Sequence, residues 1–517
     1  MRAARALVGA TGLVAALTLA SRLFGLARKL AQSWALSDSP IAVAYDTANT
    51  VPNVLFEVAA GGALAGAVIP LLSRMIAKGQ ARDAEQAASA LMTWILAVGV
   101  PLAAVVAILA GPLTHALLPG LDAGVAMLAA NLLRIFAIQI PLYGLSVVAT
   151  GILHSHGRFL LPALSPLLSS VSVTAMFVVY SLISNPFDAP GSLSVSGMAL
   201  LGWGTTAGVA VFALPQLAVA SRYLRLRPTF AFPPGAGRTT ARLGLAGLAA
   251  LLAQQGAIIA IMVTANGLGD VGTYAAFNYA YAIFMVPYAV LAVPVATVTF
   301  PQISKASGEH LRQLVARSTA IVTAMGMSGA ALLIVLAQPA KIVLDLGRDI
   351  NGLDAALQAM SVGLVGFSLL YHGARVLYAR GQARRVILAN SLGWGSVIVG
   401  LAGAAVVGVG GRWGTLVGIG AAMSLGLSVG GGAMLVLIGR SLGREALRGI
   451  AKLALVLLPT LAASGAVAYV CVGLILGVSD SIAGAFAAAV VGAGVVVGSA
   501  VATIFLTDRQ ALASLTR

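Results

Sequence analysis

The sequence has a single cysteine, Cys471, set in an apolar run. One thiol builds no disulfide framework and leaves nothing for a thiolate metal cluster. Histidines are as scarce. Of the five, His115, His154, His156 and His310 fall at expected helix ends or loops, and only His372, beside Tyr371, falls inside an expected helix. Charge is sparse too: 9% of the residues are charged and 15 are acidic. There is no HExxH, no P-loop and no GxSxG with partners, and the outer acids are scattered except for one group of three. Each of those patterns exists to bring an acid, base, nucleophile or metal to a substrate. Without them the expectation is a protein that is not an enzyme and holds no cofactor and no metal. The one acidic cluster, Asp345, Asp349 and Asp354, reads as a solvated loop. Aromatic residues make up only 6%, and no special role is expected of them.

What is present is apolar. Of 517 residues, 59% are hydrophobic, and the mean hydropathy is +0.98. A soluble chain could not bury that much apolar surface, and runs of about twenty apolar residues are the length of a bilayer-spanning helix. Sixty glycines suit close helix–helix contact in lipid. The basic N-terminus followed by an apolar run mimics a secretory signal. Arg22 inside the run and the want of a cleavage site make a retained helix the expectation.

The fold class expected is an all-α polytopic membrane protein. The spans number about fourteen, near 7–36, 41–73, 86–111, 123–153, 160–184, 194–221, 241–266, 271–301, 313–338, 355–380, 386–409, 413–439, 450–476 and 481–506. The net charge of +16 is dispersed over many short loops, which argues against nucleic acid as a partner and for membrane topology. With the N-terminus inside, 23 basic residues fall in inside segments and three, Lys341, Arg348 and Arg412, in outside loops. That asymmetry puts both termini in the cytoplasm.

Two segment echoes indicate an internal repeat. Val68-Ile69-Pro70-Leu71-Leu72-Ser73-Arg74 parallels Thr299-Phe300-Pro301-Gln302-Ile303-Ser304-Lys305. Leu153-His154-Ser155-His156-Gly157-Arg158 parallels Leu377-Tyr378-Ala379-Arg380-Gly381-Gln382. The offsets are 231 and 224 residues, six spans each. Two parallel six-helix halves follow, an arrangement in which transporters carry substrate between the halves. The expected domains are an N-terminal lobe over 1–222, a linker over 223–242 containing Pro228, Pro233 and Pro234, a C-terminal lobe over 243–440, and two further helices with a tail over 441–517.

Charged residues inside the spans are the candidate site. Arg22, Arg28 and Lys29 lie in the first span, opposite its basic end. A cation at that depth needs a partner, a polar cavity or an interface. Arg22 and Lys29 fall about 20° apart around the helix. Such a cluster suits an anionic ligand; for Arg28 and Lys29, snorkelling to the outer headgroups is the other reading. The second span carries Asp46, Asn49, Asn53 and Glu57 on one face, alongside Pro52 and Gly61-Gly62. That stripe reads either as a cavity wall opposite Arg22 or as polar glue between helices. Asp46 or Glu57 is an expected partner of Arg22 or Arg28 in the empty state, with a ligand phosphate competing for the guanidinium. In the second half, Arg375 reads as a ligand contact or a snorkelling residue, Gln255 and Asn278 as further cavity polar groups, and Arg134 as an interfacial anchor.

The run Ser21-Arg22-Leu23-Phe24-Gly25-Leu26-Ala27-Arg28, then Ala48-Asn49-Thr50-Val51-Pro52-Asn53, then Val68-Ile69-Pro70, resembles the start of the MurJ/MviN lipid II flippase family, in the multidrug/oligosaccharidyl-lipid/polysaccharide exporter superfamily. Leu132-Leu133-Arg134-Ile135, His156-Gly157-Arg158-Phe159 with Pro162, and Pro287-Tyr288-Ala289-Val290-Leu291-Ala292-Val293 resemble its later helices, the last in the actinobacterial style. The resemblance implies two six-helix lobes about a cavity and two helices forming a lipid-tail groove. It implies export of undecaprenyl-diphosphate-linked disaccharide-pentapeptide by alternating access across the bacterial cytoplasmic membrane. Arg22 and Arg28 match the family's first-helix arginines. Lys29 stands where an acidic residue is usual, Phe56 and Glu57 where arginines are usual, Ala60-Gly61-Gly62 where Ala-Glu-Gly is usual, and Tyr281 and Ala282 near a missing arginine. Lys29 and Arg375 are the candidate replacements for lost cations. Asn390 is followed by Trp394 rather than the Asp that some members use for sodium, so no ion site is expected. The alternatives kept open are export of another polyprenyl-linked glycan and a non-transporting scaffold. Expected partners are lipid II, membrane lipids and cell-wall synthesis proteins.

Overall fold

The computed structural model describes residues 20–21, 24–59, 68–185, 188–345 and 350–507. Its helices run in chain order: α1 (24–36), α2 (Pro40–Ala59), α3 (Ile69–Ala77), α4 (Ala81–Ile108), α5 (Ala110–Leu117), α6 (Ala123–Phe136), α7 (Gln139–Ser155), α8 (Leu160–Ile183), α9 (Val195–Ala220) and α10 (Ala236–Leu268). There follow α11 (Thr273–Pro287), a π turn at Tyr288–Ala292, α12 (Val293–Lys305), α13 (Gly308–Val335), α14 (Ala337–Asp345), α15 (Leu353–Ser361), α16 (Gly363–Ala379), α17 (Ala383–Val406), α18 (Gly411–Leu442), α19 (Ile450–Val478) and α20 (Ile482–Thr507). No strand occurs among the described residues.

Eleven described stretches are long and apolar enough to cross a bilayer, and twelve if α15 and α16, bent by 53°, count as one. Two of the fourteen expected spans lie outside that set. Half of the first, residues 7–19 and 22–23, lies outside the described residues. The second is α2, where Asp46, Asn49, Asn53 and Glu57 depress the hydropathy of an otherwise apolar helix. Lipid-facing surface is plain elsewhere. Leu182, Leu455, Leu474 and Val478 are each mostly exposed, which only a hydrocarbon solvent makes cheap.

The chain divides into two compact units, Met1–Gln255 and Gly256–Arg517. In the first, α2 packs on α6 and α7, α4 on α7, and α9 on both α7 and α8. Its core joins Leu72, Ala84, Ala88, Val148, Ile152 and Leu224. The segment after α9 lies back on α4: the Arg227 and Thr229 amides donate to Ser89 and Thr93, and Trp94 Nε1 donates to the Phe230 carbonyl. In the second unit, α18 packs on α15, α16 and α17, and α13 packs on α16, α19 and α20. Leu457, Leu461, Val472 and Val496 form the seam that holds α19 and α20 to α13.

Helices α7 and α16, which carry one of the two sequence echoes, end in the same way, as α3 and α17 also do at Gly79 and Gly408. Helix α7 ends with Gly157 at φ +69°, its amide donating to the His154 carbonyl and the Arg158 amide to the Leu153 carbonyl. Helix α16 ends with Gly381 at φ +68°, its amide donating to the Tyr378 carbonyl and the Gln382 amide to the Leu377 carbonyl. Both are the same glycine-terminated Schellman cap, which needs the left-handed backbone that glycine adopts without strain.

Candidate functional site

In the first unit a chain of polar contacts links α1 to α2. Lys29 Nζ donates to Gln32 Oε1 at 3.0 Å, Gln32 Nε2 donates to Asp46 Oδ1 at 2.8 Å, and Lys29 Nζ lies 3.8 Å from the same carboxylate oxygen. The side chain of Asp46 is 4% exposed and that of Lys29 20%. Lys29 and Gln32 are one helical turn apart, so both reach the same face of α2. The cation on Asp46, among the described residues, is therefore Lys29 rather than Arg28. Lys29 is engaged on Asp46 and Gln32, in place of the snorkelling that was its other reading.

Arg28 lies within electrostatic reach of Lys29, Tyr45 and Tyr143. It is half-buried, and among the described residues no hydrogen bond or ion pair engages its guanidinium. Tyr45 is fixed by a 2.9 Å hydrogen bond with Thr205 and by edge contacts with Phe136 and Phe177. Tyr143 donates to Asn53 Oδ1 at 3.1 Å and stacks on Phe56 at 4.3 Å between ring centres. Along α2 the stripe grades from buried Asp46 through half-buried Asn49 and Asn53 to exposed Glu57. The Glu57 charge also acts on Tyr143. Lys29 and Asp46 thus join α1 to α2, and Asn53 joins α2 to α7 through Tyr143. Arg22, expected on this face, lies outside the described residues, as do Gly61 and Gly62.

Sequence reasoning missed Gln32, Tyr45 and Tyr143. Gln32 was legible as the residue one turn after Lys29. The two tyrosines carry polar tips inside apolar spans, a pattern that calls for a partner when buried. Aromatic residues do have a role here. Phe56, where the resemblance marks an arginine, fills that space as a ring against Tyr143 and Phe212.

The second unit holds Arg375. Its guanidinium donates to the Tyr371 hydroxyl and lies over the Tyr371 ring at 4.4 Å. Tyr371 meets Tyr288 edge-on at 5.2 Å, and Tyr288 meets Phe367 at 4.7 Å. A row of rings continues through Phe284, Tyr281 and Phe277. Arg375 is the charged end of an aromatic row, with Tyr281 built into it. Asn278 is half-buried and Gln255 buried. Asn390 Nδ2 donates to the Val386 carbonyl of its own helix. Among the described residues no cluster of three His, Cys, Asp or Glu could hold a metal ion.

The Lys29–Asp46 pair yields a test. Removing one partner of a buried pair leaves an uncompensated charge, at about 3–5 kcal/mol. Lys29→Met is expected to lower the thermal unfolding temperature of the detergent-solubilised protein, and Lys29→Met with Asp46→Asn to regain most of the loss. Equal melting of the single and double variants would show the pair to be structurally idle.

A family model, "Lipid II flippase MurJ", matches residues 33–491. A probable lipid II flippase MurJ of Synechocystis sp. is 33% identical over 247 residues, 45% of this chain and 44% of that protein. A lipid II flippase MurJ of Burkholderia cenocepacia is 30% identical over 302 residues, 57% of this chain and 56% of that protein. The alignments thus span about half the length of these relatives. A solved lipid II flippase MurJ in an inward closed conformation superposes with a TM-score of 0.77 at 16% identity, covering 97% of this chain and 99% of the other. At that identity the likeness is one of fold.

Proposed function

Since the chain belongs to the lipid II flippase MurJ family, we propose that it carries undecaprenyl-diphosphate-linked peptidoglycan precursor from the inner to the outer leaflet by alternating access. It is a multi-pass membrane protein. The observation that carries the reading is Arg28. A half-buried guanidinium inside a transmembrane unit, with no protein acceptor among the described residues, is an open site for a diphosphate. Guanidinium binds phosphate oxygens in bidentate fashion. Lys29 is the reserve cation. A diphosphate that displaced Asp46 from it would gain a second charge-assisted contact. Arg375 is proposed as the cation of the second lobe, Asn49, Asn53 and Glu57 as polar wall, and Arg22 as a further first-helix contact.

Depleting the protein in its native bacterium tests the reading. Lipid II accessible from outside the membrane is expected to fall while the total pool rises. Unchanged outside accessibility would contradict it.

The reading puts fourteen spans in the membrane and both termini in the cytoplasm, with lobes over 1–222 and 243–440. Cysteine labelling in a Cys471→Ser background checks the topology. Ser192→Cys, exposed between α8 and α9, is expected to react with an impermeant thiol reagent from outside intact cells. Ala231→Cys, exposed before α10, is expected to react only after lysis. The reverse pattern would invert the topology.

A further inference from the structure

Gln32 stands between the two charges that join α1 to α2. It is 3% exposed, and its amide is used at both ends: Oε1 accepts from Lys29 Nζ at 3.0 Å, and Nε2 donates to Asp46 Oδ1 at 2.8 Å. These partners fix the amide's orientation, since an ammonium only donates and an ionised carboxylate only accepts. The two charges themselves stay 3.8 Å apart, against 2.7 Å in the Lys341–Asp345 pair of the second unit. A charge-assisted contact with nothing in its way closes to about 2.7–2.9 Å. Among the described residues, Asp46 Oδ2 accepts no hydrogen bond. Asp46 therefore has a spare acceptor and a cation within reach, and the pair is still open. Burial is unequal as well. The carboxylate is sealed, whereas the Lys29 side chain keeps a fifth of its surface accessible, within electrostatic reach of Arg28.

A closed Lys29–Asp46 contact would hold the ammonium against a buried carboxylate, and an incoming phosphate would have to break it first. The bridging amide prevents that closure. It also serves the liganded state. When a phosphate draws Lys29 away, Nε2 still donates to Asp46, so the buried carboxylate is not left bare. We propose that Gln32 is a positioning residue for the diphosphate: standing between Lys29 and Asp46, it keeps the ammonium releasable to a phosphate oxygen beside Arg28. This role rests on the reading of Arg28 and Lys29 as diphosphate contacts. It has an unusual consequence. Replacing Gln32 by an apolar residue lets Lys29 close on Asp46, so the link between α1 and α2 survives while the ligand loses its second cation.

The purified full-length protein is titrated with undecaprenyl diphosphate, with undecaprenol as the uncharged reference. Bound lipid is counted by native mass spectrometry, and the melting temperature is recorded for each variant. The wild type is expected to prefer the diphosphate. Gln32→Leu is expected to weaken the diphosphate about tenfold, to leave undecaprenol unchanged and to melt no lower than the wild type. Gln32→Met, closer to glutamine in shape, is expected to do the same. Asp46→Asn removes the carboxylate on which Lys29 would close. Gln32→Leu added to Asp46→Asn is therefore expected to change diphosphate affinity by less than about twofold. A merely structural Gln32 gives the opposite pattern, with lower melting in both single variants and the same affinity loss whether or not Asp46 is present. That pattern would overturn the role, as would diphosphate binding by Gln32→Leu equal to that of the wild type. A wild type that binds the diphosphate no better than undecaprenol would overturn the diphosphate reading itself, and the role of Gln32 with it.

Discussion

Arg28→Ala is expected to abolish complementation of a depleted strain while leaving the protein folded and in the membrane. The guanidinium makes no hydrogen bond or ion pair among the described residues, so its removal breaks no polar link that holds α1 to α2. That link runs through Lys29, Gln32 and Asp46. What is lost is a charge-assisted phosphate contact, about 1.5–3 kcal/mol, or roughly ten- to a hundredfold in affinity. A transporter that discriminates its cargo by few cations feels that loss in full. Arg28→Lys keeps the charge but not the fork geometry and is expected to restore growth only in part. Lipid II binding by native mass spectrometry, with melting temperature as the control, separates ligand loss from misfolding. Full complementation by Arg28→Ala would remove Arg28 from the site.

Gly366→Leu is expected to prevent accumulation of the protein. Helices α16 and α18 cross with backbone on backbone: a Cβ on Gly366 would fall on the Leu427 carbonyl, and one on Gly431 would lie 2.6 Å from the Gly366 Cα. A flexible side chain can yield to such a clash, but a helix backbone cannot. Overpacking commonly costs about 1–3 kcal/mol and more when backbones must part. Small residues at crossings are how helices in lipid gain close contact. Gly432→Leu is the control. That glycine is exposed, and a Cβ there meets nothing within 4 Å. Membrane-fraction yield and melting temperature report both variants. Equal yields would contradict the packing account.

Helix positions were legible in the sequence because a bilayer enforces long apolar runs, and the ends of α7 and α16 were legible because a Schellman cap needs glycine at Gly157 and Gly381. The α2 stripe was legible because Asp46, Asn49, Asn53 and Glu57 keep helical spacing. The identity of pairs was not. Periodicity puts Arg28 and Lys29 on neighbouring faces, but rotamers and the third residue, Gln32, decide which cation reaches Asp46. Breaks were also hidden. Helices α6 and α7 read as one span, as do α15 and α16, since a change of direction between residues 361 and 363 leaves hydropathy unaltered. The aromatic row from Phe277 to Tyr371 was invisible for a related reason. Its members come from α11, the π turn and α16, and only the fold brings them together.

Flux in proteoliposomes tests the central claim most directly. Purified protein is reconstituted with fluorescent lipid II in both leaflets, and an external enzyme that cannot cross the bilayer consumes whatever reaches the outer one. The assay is run with and without an imposed membrane potential. With the wild type, consumption is expected to pass the half of the lipid initially exposed and approach completion, whereas Arg28→Ala vesicles and empty vesicles stop near half. Wild-type vesicles that stop at the same level as empty ones, under both conditions, would contradict the proposed lipid II flippase function.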